Sequence, residues 1–239
     1  MAQPLLGALP LPSARWVLDL GAGTGALVAD LAEASPLARI VAVDRAEGML
    51  QLARRSTNHP LAAMDAQCLA LRSGVIDVAT LVFVLFHVPD PVAGLREVRR
   101  ALRADGALGV VTWGQDPGVP GLSIWTEELD SYGAAPDPRD PSVMLQARMD
   151  TPEKLERLLH SADYVSVRVW KRTFAYRWTV DSLVALQLGC GMASRRMTSL
   201  SDAAGAACQS RVETRLASLT KEELVHRPEV LFGVARKPV

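Results

Sequence analysis

Short apolar runs alternate with amphipathic stretches along residues 1–113, and that alternation predicts a parallel sheet with helices between its strands. Trp16–Leu20 is apolar and bounded by Ser13 and a glycine cluster, as a buried strand should be. A helix is expected over 26–34, a strand over 39–43 ending at Asp44, a helix over 47–55, and a third strand over 61–64 ending at Asp65. The long apolar run 77–85 follows, then an amphipathic helix over 92–102. A fifth strand, 107–113, is opened by the turn Asp105-Gly106.

Beyond Trp113 the pattern changes. Residues 114–121 and 133–142 are rich in Gly, Pro and Asp, with a short apolar and aromatic segment, 122–132, between them; this reads as an insertion over the C-terminal edge of the sheet. Thr151 is placed to cap a helix over Pro152–Ser161, with proline at the first helical position. Residues 164–170 alternate as a strand does, and 230–235 form the last strand. The stretch between them, 178–219, is largely helical, with Leu183, Leu186, Gln187, Cys190 and Met192 on or near one helix. The expectation is one domain over 1–239, with 114–150 and 178–220 as cap segments that bind substrate.

Composition narrows the function classes. The chain has 239 residues, 49% of them hydrophobic, which is enough for a full core. Lys plus Arg and Asp plus Glu both number 26, so no net field draws the protein to nucleic acid or to an acidic membrane surface. Three widely spaced cysteines, Cys68, Cys190 and Cys208, make neither a disulfide framework nor a zinc site. Residues 1–11 lack a basic start and carry Pro4 and Pro10, unlike a signal or membrane helix. A cytoplasmic protein without metal is expected.

The chemistry gathers in Val17-Leu18-Asp19-Leu20-Gly21-Ala22-Gly23-Thr24-Gly25, a strand running into a glycine-rich turn and then a helix. Glycines permit a tight turn and close ligand approach, and the helix start offers unpaired amides. Gly21, Gly23 and Ala26 also satisfy a dinucleotide fingerprint, with Asp44 at the spacing of a ribose-binding acid. Three features favour another cofactor. Asp19 is polar at the end of a buried strand, where an ammonium group on the ligand would justify it. Asp65-Ala66 ends the third strand, where a carboxylate can accept from an adenine amine. The third is the tail, in which one helix and one strand lead to two terminal strands of antiparallel character.

Together with 42–44, 47–50, 77–90, 95–106 and 109–113, these motifs make the chain resemble class I S-adenosylmethionine-dependent methyltransferases, in the small-molecule group of menaquinone, ubiquinone and natural-product enzymes. The resemblance spans roughly residues 14–236. It implies a Rossmann-like, doubly wound α/β sheet of seven strands, mainly parallel, with an antiparallel C-terminal strand and a partly helical cap. It implies that Gly21, Ala22, Gly23 and Gly25 pass under the methionine part of the cofactor while Asp19 helps hold its amino group. Asp44 would meet the ribose, Met49 the adenine or ribose, Asp65 and Ala66 the adenine edge, and Val82 and Phe83 the methionine end, with Arg45 a further cofactor contact.

Methyl transfer is an in-line displacement that needs placement and exclusion of water rather than a covalent residue. His87, after the fourth strand, is the candidate general base; the alternative is that it orders the loop Val88-Pro89-Asp90, because relatives often carry two adjacent histidines where this chain has Phe86-His87. Trp113, Trp125, Tyr132, Trp178 and Met192 are the candidate acceptor contacts. Arg195-Arg196 suits either an anionic group or a solvated helix face. The expected partner is a small-molecule acceptor, with neither nucleic acid nor membrane, and a homo-oligomer stays open. Three other functions share the glycine loop. A nicotinamide oxidoreductase would leave Asp65 unexplained and lacks a Tyr-x-x-x-Lys pair. A binding protein of the same fold without turnover would fit the single histidine. A nucleic-acid methyltransferase would need a basic track or an Asn/Asp-Pro-Pro-aromatic site where this chain reads Val82-Phe83-Val84-Leu85.

Overall fold

Every residue of β1 (Trp16–Leu20) after the first is buried, because the strand lies between two others and is covered on both faces. The computed structural model describes all residues except 116, 117, 140, 142, 143 and 190; Cys190 therefore lies outside the described residues. β1 pairs in parallel with β2 (Arg39–Asp44) and β4 (Ile76–Val82). β3 (Leu61–Ala63) extends the sheet beyond β2, and β5 (Leu102–Trp113) lies beyond β4, both parallel to their neighbours. β9 (Glu229–Arg236) runs antiparallel to β5, and β6 (Val165–Thr173) lies beyond it, for an order β3-β2-β1-β4-β5-β9-β6. Seven strands, mainly parallel with an antiparallel last strand, match the expectation.

The connecting helices are α2 (Val28–Ala34), α3 (Glu47–Ala53), α4 (Pro91–Ala101) and α6 (Pro152–Ser161). α4 and α6 show how local sequence fixes them. Asp90 accepts from the Ala93 amide and Thr151 from the Lys154 amide, each with proline at the start of the helix. Leu95 and Val98 of α4 and Leu155 and Leu159 of α6 enter one core with Leu18, Leu81 and Val110 of the sheet.

Three boundaries differ from the sequence reading for identifiable reasons. α2 begins at Val28 because Gly25, at φ +78°, holds the preceding residues in turns. The strand expected from 107 begins at Leu102: Asp105, at φ +56°, shifts the register, so that Ile76 pairs with Leu102 but Val78 with Ala107. The run 77–85 breaks at Phe83, whose φ is +56°, and continues as a 3-10 turn, Leu85–His87. A short helix, α1 (Gln3–Leu6), precedes the sheet where none was expected.

The chain divides into two compact units, 1–115 with 141–172 and 229–239, and 116–140 with 173–228. The second is built from α5 (Pro120–Ser131), α7 (Val180–Gly189), α8 (Met192–Met197) and α9 (Asp202–Ala217) around a core of Trp125, Leu129, Leu183, Cys208, Val212 and Leu216. It also holds a two-stranded ribbon, β7 (Tyr176–Arg177) with β8 (Val225–His226), which the sequence reading did not anticipate. The solvated face expected of Arg195-Arg196 needs correction. Arg196 is buried, binding Asp130 at 2.6 Å and the carbonyls of Ala134 and Ala135, and Arg195 binds Asp137. Among the described residues, no helix is long and apolar enough to cross a membrane.

Candidate active site

The glycine loop leaves β1 at the C-terminal edge of the parallel strands. The Gly21 and Ala22 amides both donate to the Val43 carbonyl, at 2.7 and 3.0 Å, which turns the chain sharply over the end of β2. Gly21 and Gly23 have left-handed backbones, φ +75° and +56°, but for different neighbours. A side chain at Gly21 would strike Val84, at 2.2 Å from its Cγ2, whereas one at Gly23 would meet nothing within 4 Å among the described residues. Gly21 is thus required by packing, and Gly23 borders open space.

Three carboxylates stand around this loop. Asp44 is committed on both oxygens: Oδ2 accepts from the Gly23 amide and Oδ1 from the Ala46 amide, each at 2.8 Å. It ties the loop to the end of β2. Asp65 accepts from the Gln67 amide at 2.8 Å and is exposed. Asp19 is buried, with 2% of its surface exposed, beside Thr80 in the parallel register of β1 and β4. Its Oδ1 accepts from the Thr80 hydroxyl at 3.0 Å, and its Oδ2 has no partner among the described residues. Burial, opposed by the Thr80 hydrogen bond and reinforced by the charge of Asp44, pushes the Asp19 carboxyl up to about 6.

A pocket of about 380 Å³ opens beside the loop, within the range of small-molecule sites. Of the residues singled out in the sequence, Gly21, Gly23, Asp44, Arg45, Met49, Asp65, Ala66, Phe83 and His87 line it. Asp19, Ala22, Gly25 and Val82 do not form its wall. Asp19 immediately precedes the lining residue Leu20, and Gly25 packs against Ala53 of α3 instead. Met64, Val84, Val88 and Pro89 also line the pocket and were not singled out. No local signal marks Val84, because only the fold brings it against Gly21.

Phe83 owes its left-handed backbone to two restraints. Its amide donates to the Val111 carbonyl at 2.8 Å, and its ring stacks on Trp113 with centroids 4.3 Å apart. Trp113 is in turn pinned by Gln146, whose side-chain amide donates to its carbonyl. His87 is exposed, and its ring tilts against Phe86 at 4.3 Å. The Phe86 carbonyl accepts from the Leu145 amide at 3.1 Å, so residues 144–149 brace the loop that carries His87. The other acceptor candidates, Trp125, Tyr132, Trp178 and Met192, belong to the core cluster of the second unit, where Trp125 is wholly buried. Among the described residues, no three His, Cys, Asp or Glu side chains gather as metal ligands.

A methyltransferase domain model matches residues 18–110. Demethylmenaquinone methyltransferase of Beutenbergia cavernae is 31% identical over 190 residues, covering 76% of this chain and 74% of that protein. The enzyme of the same name from Corynebacterium kroppenstedtii is 39% identical over 121 residues, so the match spans about half of each chain, 50% and 51%. Among solved structures, the YcgJ protein of Bacillus subtilis superposes with a TM-score of 0.64 at 17% identity, covering 99% of this chain and 97% of that one.

Proposed function

The chain belongs to the class I S-adenosylmethionine-dependent methyltransferases, and from that membership we propose that it transfers a methyl group from S-adenosylmethionine to an oxygen, nitrogen or carbon nucleophile of a small molecule. A secondary metabolite or quinone-type intermediate is the acceptor class we favour, and the two demethylmenaquinone methyltransferase relatives support it.

One observation carries the cofactor assignment: the buried, unpartnered Oδ2 of Asp19, one residue before the pocket wall. A buried carboxylate oxygen without a donor is costly, and an ammonium group on the ligand would remove that cost. A nicotinamide dinucleotide offers no such group at this position. The open side of Gly23 supports passage of the methionine chain, and the exposed Asp65 carboxylate beside Ala66 supports capture of an adenine amine. Asp44, already bound to the Gly23 and Ala46 amides, would use its remaining lone pairs on the ribose. Arg45 and Met49 would flank the ribose and adenine, Ala22 and Gly25 shape the loop, and Val82 and Phe83 close the methionine end.

When bound, S-adenosylmethionine supplies an electrophilic methyl carbon on a positively charged sulfur. The chain's task is then to hold the acceptor in line with that carbon and exclude water. Phe83 and Trp113 would give the acceptor an aromatic wall, and His87 would accept its proton. Residues 114–150 and 178–220 would bind the acceptor, with Tyr132, Trp178 and Met192 as contacts, and the buried Trp125 would hold the core of the second unit. The free thiols of Cys68 and Cys208 support a cytoplasmic setting. The test is methyl transfer to a panel of quinols, phenols, acids and amines, read as S-adenosylhomocysteine formed. We expect one acceptor class to turn over, and His87→Ala to lower kcat about a hundredfold at unchanged S-adenosylhomocysteine affinity. A His87→Ala protein of undiminished kcat would assign His87 to loop order alone.

A further inference from the structure

We propose that Thr80 is the positioning residue for the amino end of the cofactor, its hydroxyl fixing Asp19 so that Oδ2 is presented to the ammonium. This inference rests on the adenosyl reading of the pocket. Asp19 and Thr80 are register partners on β1 and β4, and both are buried in the sheet. The Thr80 hydroxyl has two acceptors within reach, Asp19 Oδ1 at 3.0 Å and the Leu18 carbonyl at 3.3 Å, but a single hydrogen to give. Given to Asp19, it holds the carboxylate plane and stabilises the ionised form; given to Leu18, it leaves Asp19 with no donor among the described residues.

Burial and the charge of Asp44, at the end of β2, both disfavour ionisation of Asp19, and the Thr80 hydrogen bond opposes them. From the β4 side Thr80 is the group that faces Asp19, since Asp77 at the other end of that strand is engaged by the Arg15 and Trp16 amides. An ammonium ligand requires the carboxylate. A protonated Asp19 would therefore lose its proton to solvent when the ligand binds, and affinity would fall as pH drops through the Asp19 titration. Without the Thr80 hydroxyl, that titration moves upward and the loss begins at higher pH.

The test uses two ligands that share the adenosyl part, S-adenosylhomocysteine with the ammonium and 5′-methylthioadenosine without it. Binding of each is measured by calorimetry from pH 5.5 to pH 8 for wild type, Thr80→Val and Thr80→Ser. Valine keeps the branched shape and removes the hydroxyl; serine keeps the hydroxyl. We expect Thr80→Val to weaken S-adenosylhomocysteine about tenfold at pH 7, to move its pH profile upward, and to leave 5′-methylthioadenosine unchanged. Thr80→Ser should restore the wild-type profile. An unshifted profile in Thr80→Val, or equal losses for both ligands, would overturn the inference while leaving the adenosyl reading in place. Wild-type protein that bound neither ligand would overturn that reading, and the inference with it.

Discussion

Asp77 and Asp19 are buried carboxylates at opposite ends of the same pair of strands, and they are treated in opposite ways. At the N-terminal end of the sheet, Asp77 Oδ2 accepts from the Arg15 and Trp16 amides at 2.7 and 2.8 Å, and Oδ1 binds Arg103 at 2.5 Å. Toward the C-terminal end, Asp19 has, among the described residues, one bond from Thr80 and no donor to its second oxygen. A satisfied buried carboxylate belongs to the structure. One left half satisfied is costly to the fold, and in the function proposed for this chain a bound ammonium would offset that cost. On the proposed function the difference separates stability from ligand binding on two residues of the same type, in keeping with the general placement of ligands at the C-terminal ends of parallel strands.

The comparison breaks most easily at Asp77. Asp77→Ala strips an acceptor from two backbone amides and from Arg103, so we expect a loss of about 3 kcal/mol in urea unfolding. Ligand affinity in the protein that remains folded should be unchanged. Asp19→Asn should act with the opposite sign on stability, adding about 1 kcal/mol at pH 8 by removing a buried charge, while weakening S-adenosylhomocysteine binding.

The pH dependence of the Asp19 term follows from its raised titration. In the unfolded chain the carboxyl ionises near 3.8, and in the fold only near 6. Between these values the unfolded state releases its proton first, so the stability of the wild type falls, relative to Asp19→Asn, as pH rises from about 4 to about 6 and then levels off. Paired unfolding curves of the two proteins across that window would show it, and a difference independent of pH would contradict it. The smallest expected effect is at Gly23. With open space for a Cβ but φ at +56°, Gly23→Ala should cost about 1 kcal/mol of stability. Its larger consequence should be weaker ligand binding.

The sequence makes the sheet legible because each buried parallel strand is a short apolar run with a polar or glycine stop. β1 and α6 begin and end where the pattern places them, at Trp16–Leu20 and Pro152–Ser161. Asp19 stands out as a charge inside such a run. Thr80 does not, since threonine is an ordinary strand former and only the register of β1 against β4 brings it to Asp19. The break at Phe83 is equally hidden: its left-handed backbone is held by the Val111 carbonyl and the Trp113 ring, which local sequence does not bring near. The ribbon β7–β8 joins residues about fifty apart through two pairs, Tyr176 with His226 and Arg177 with Val225, too short for any periodicity to mark.

The most direct measurement is a calorimetric titration of the purified protein with S-adenosylmethionine, S-adenosylhomocysteine and NADH, repeated with Asp44→Ala. The account predicts that both adenosyl ligands bind, that NADH does not, and that Asp44→Ala, which releases the Gly23 and Ala46 amides and removes the proposed ribose partner, abolishes binding. Binding of NADH alone, or of none of the three, would contradict it.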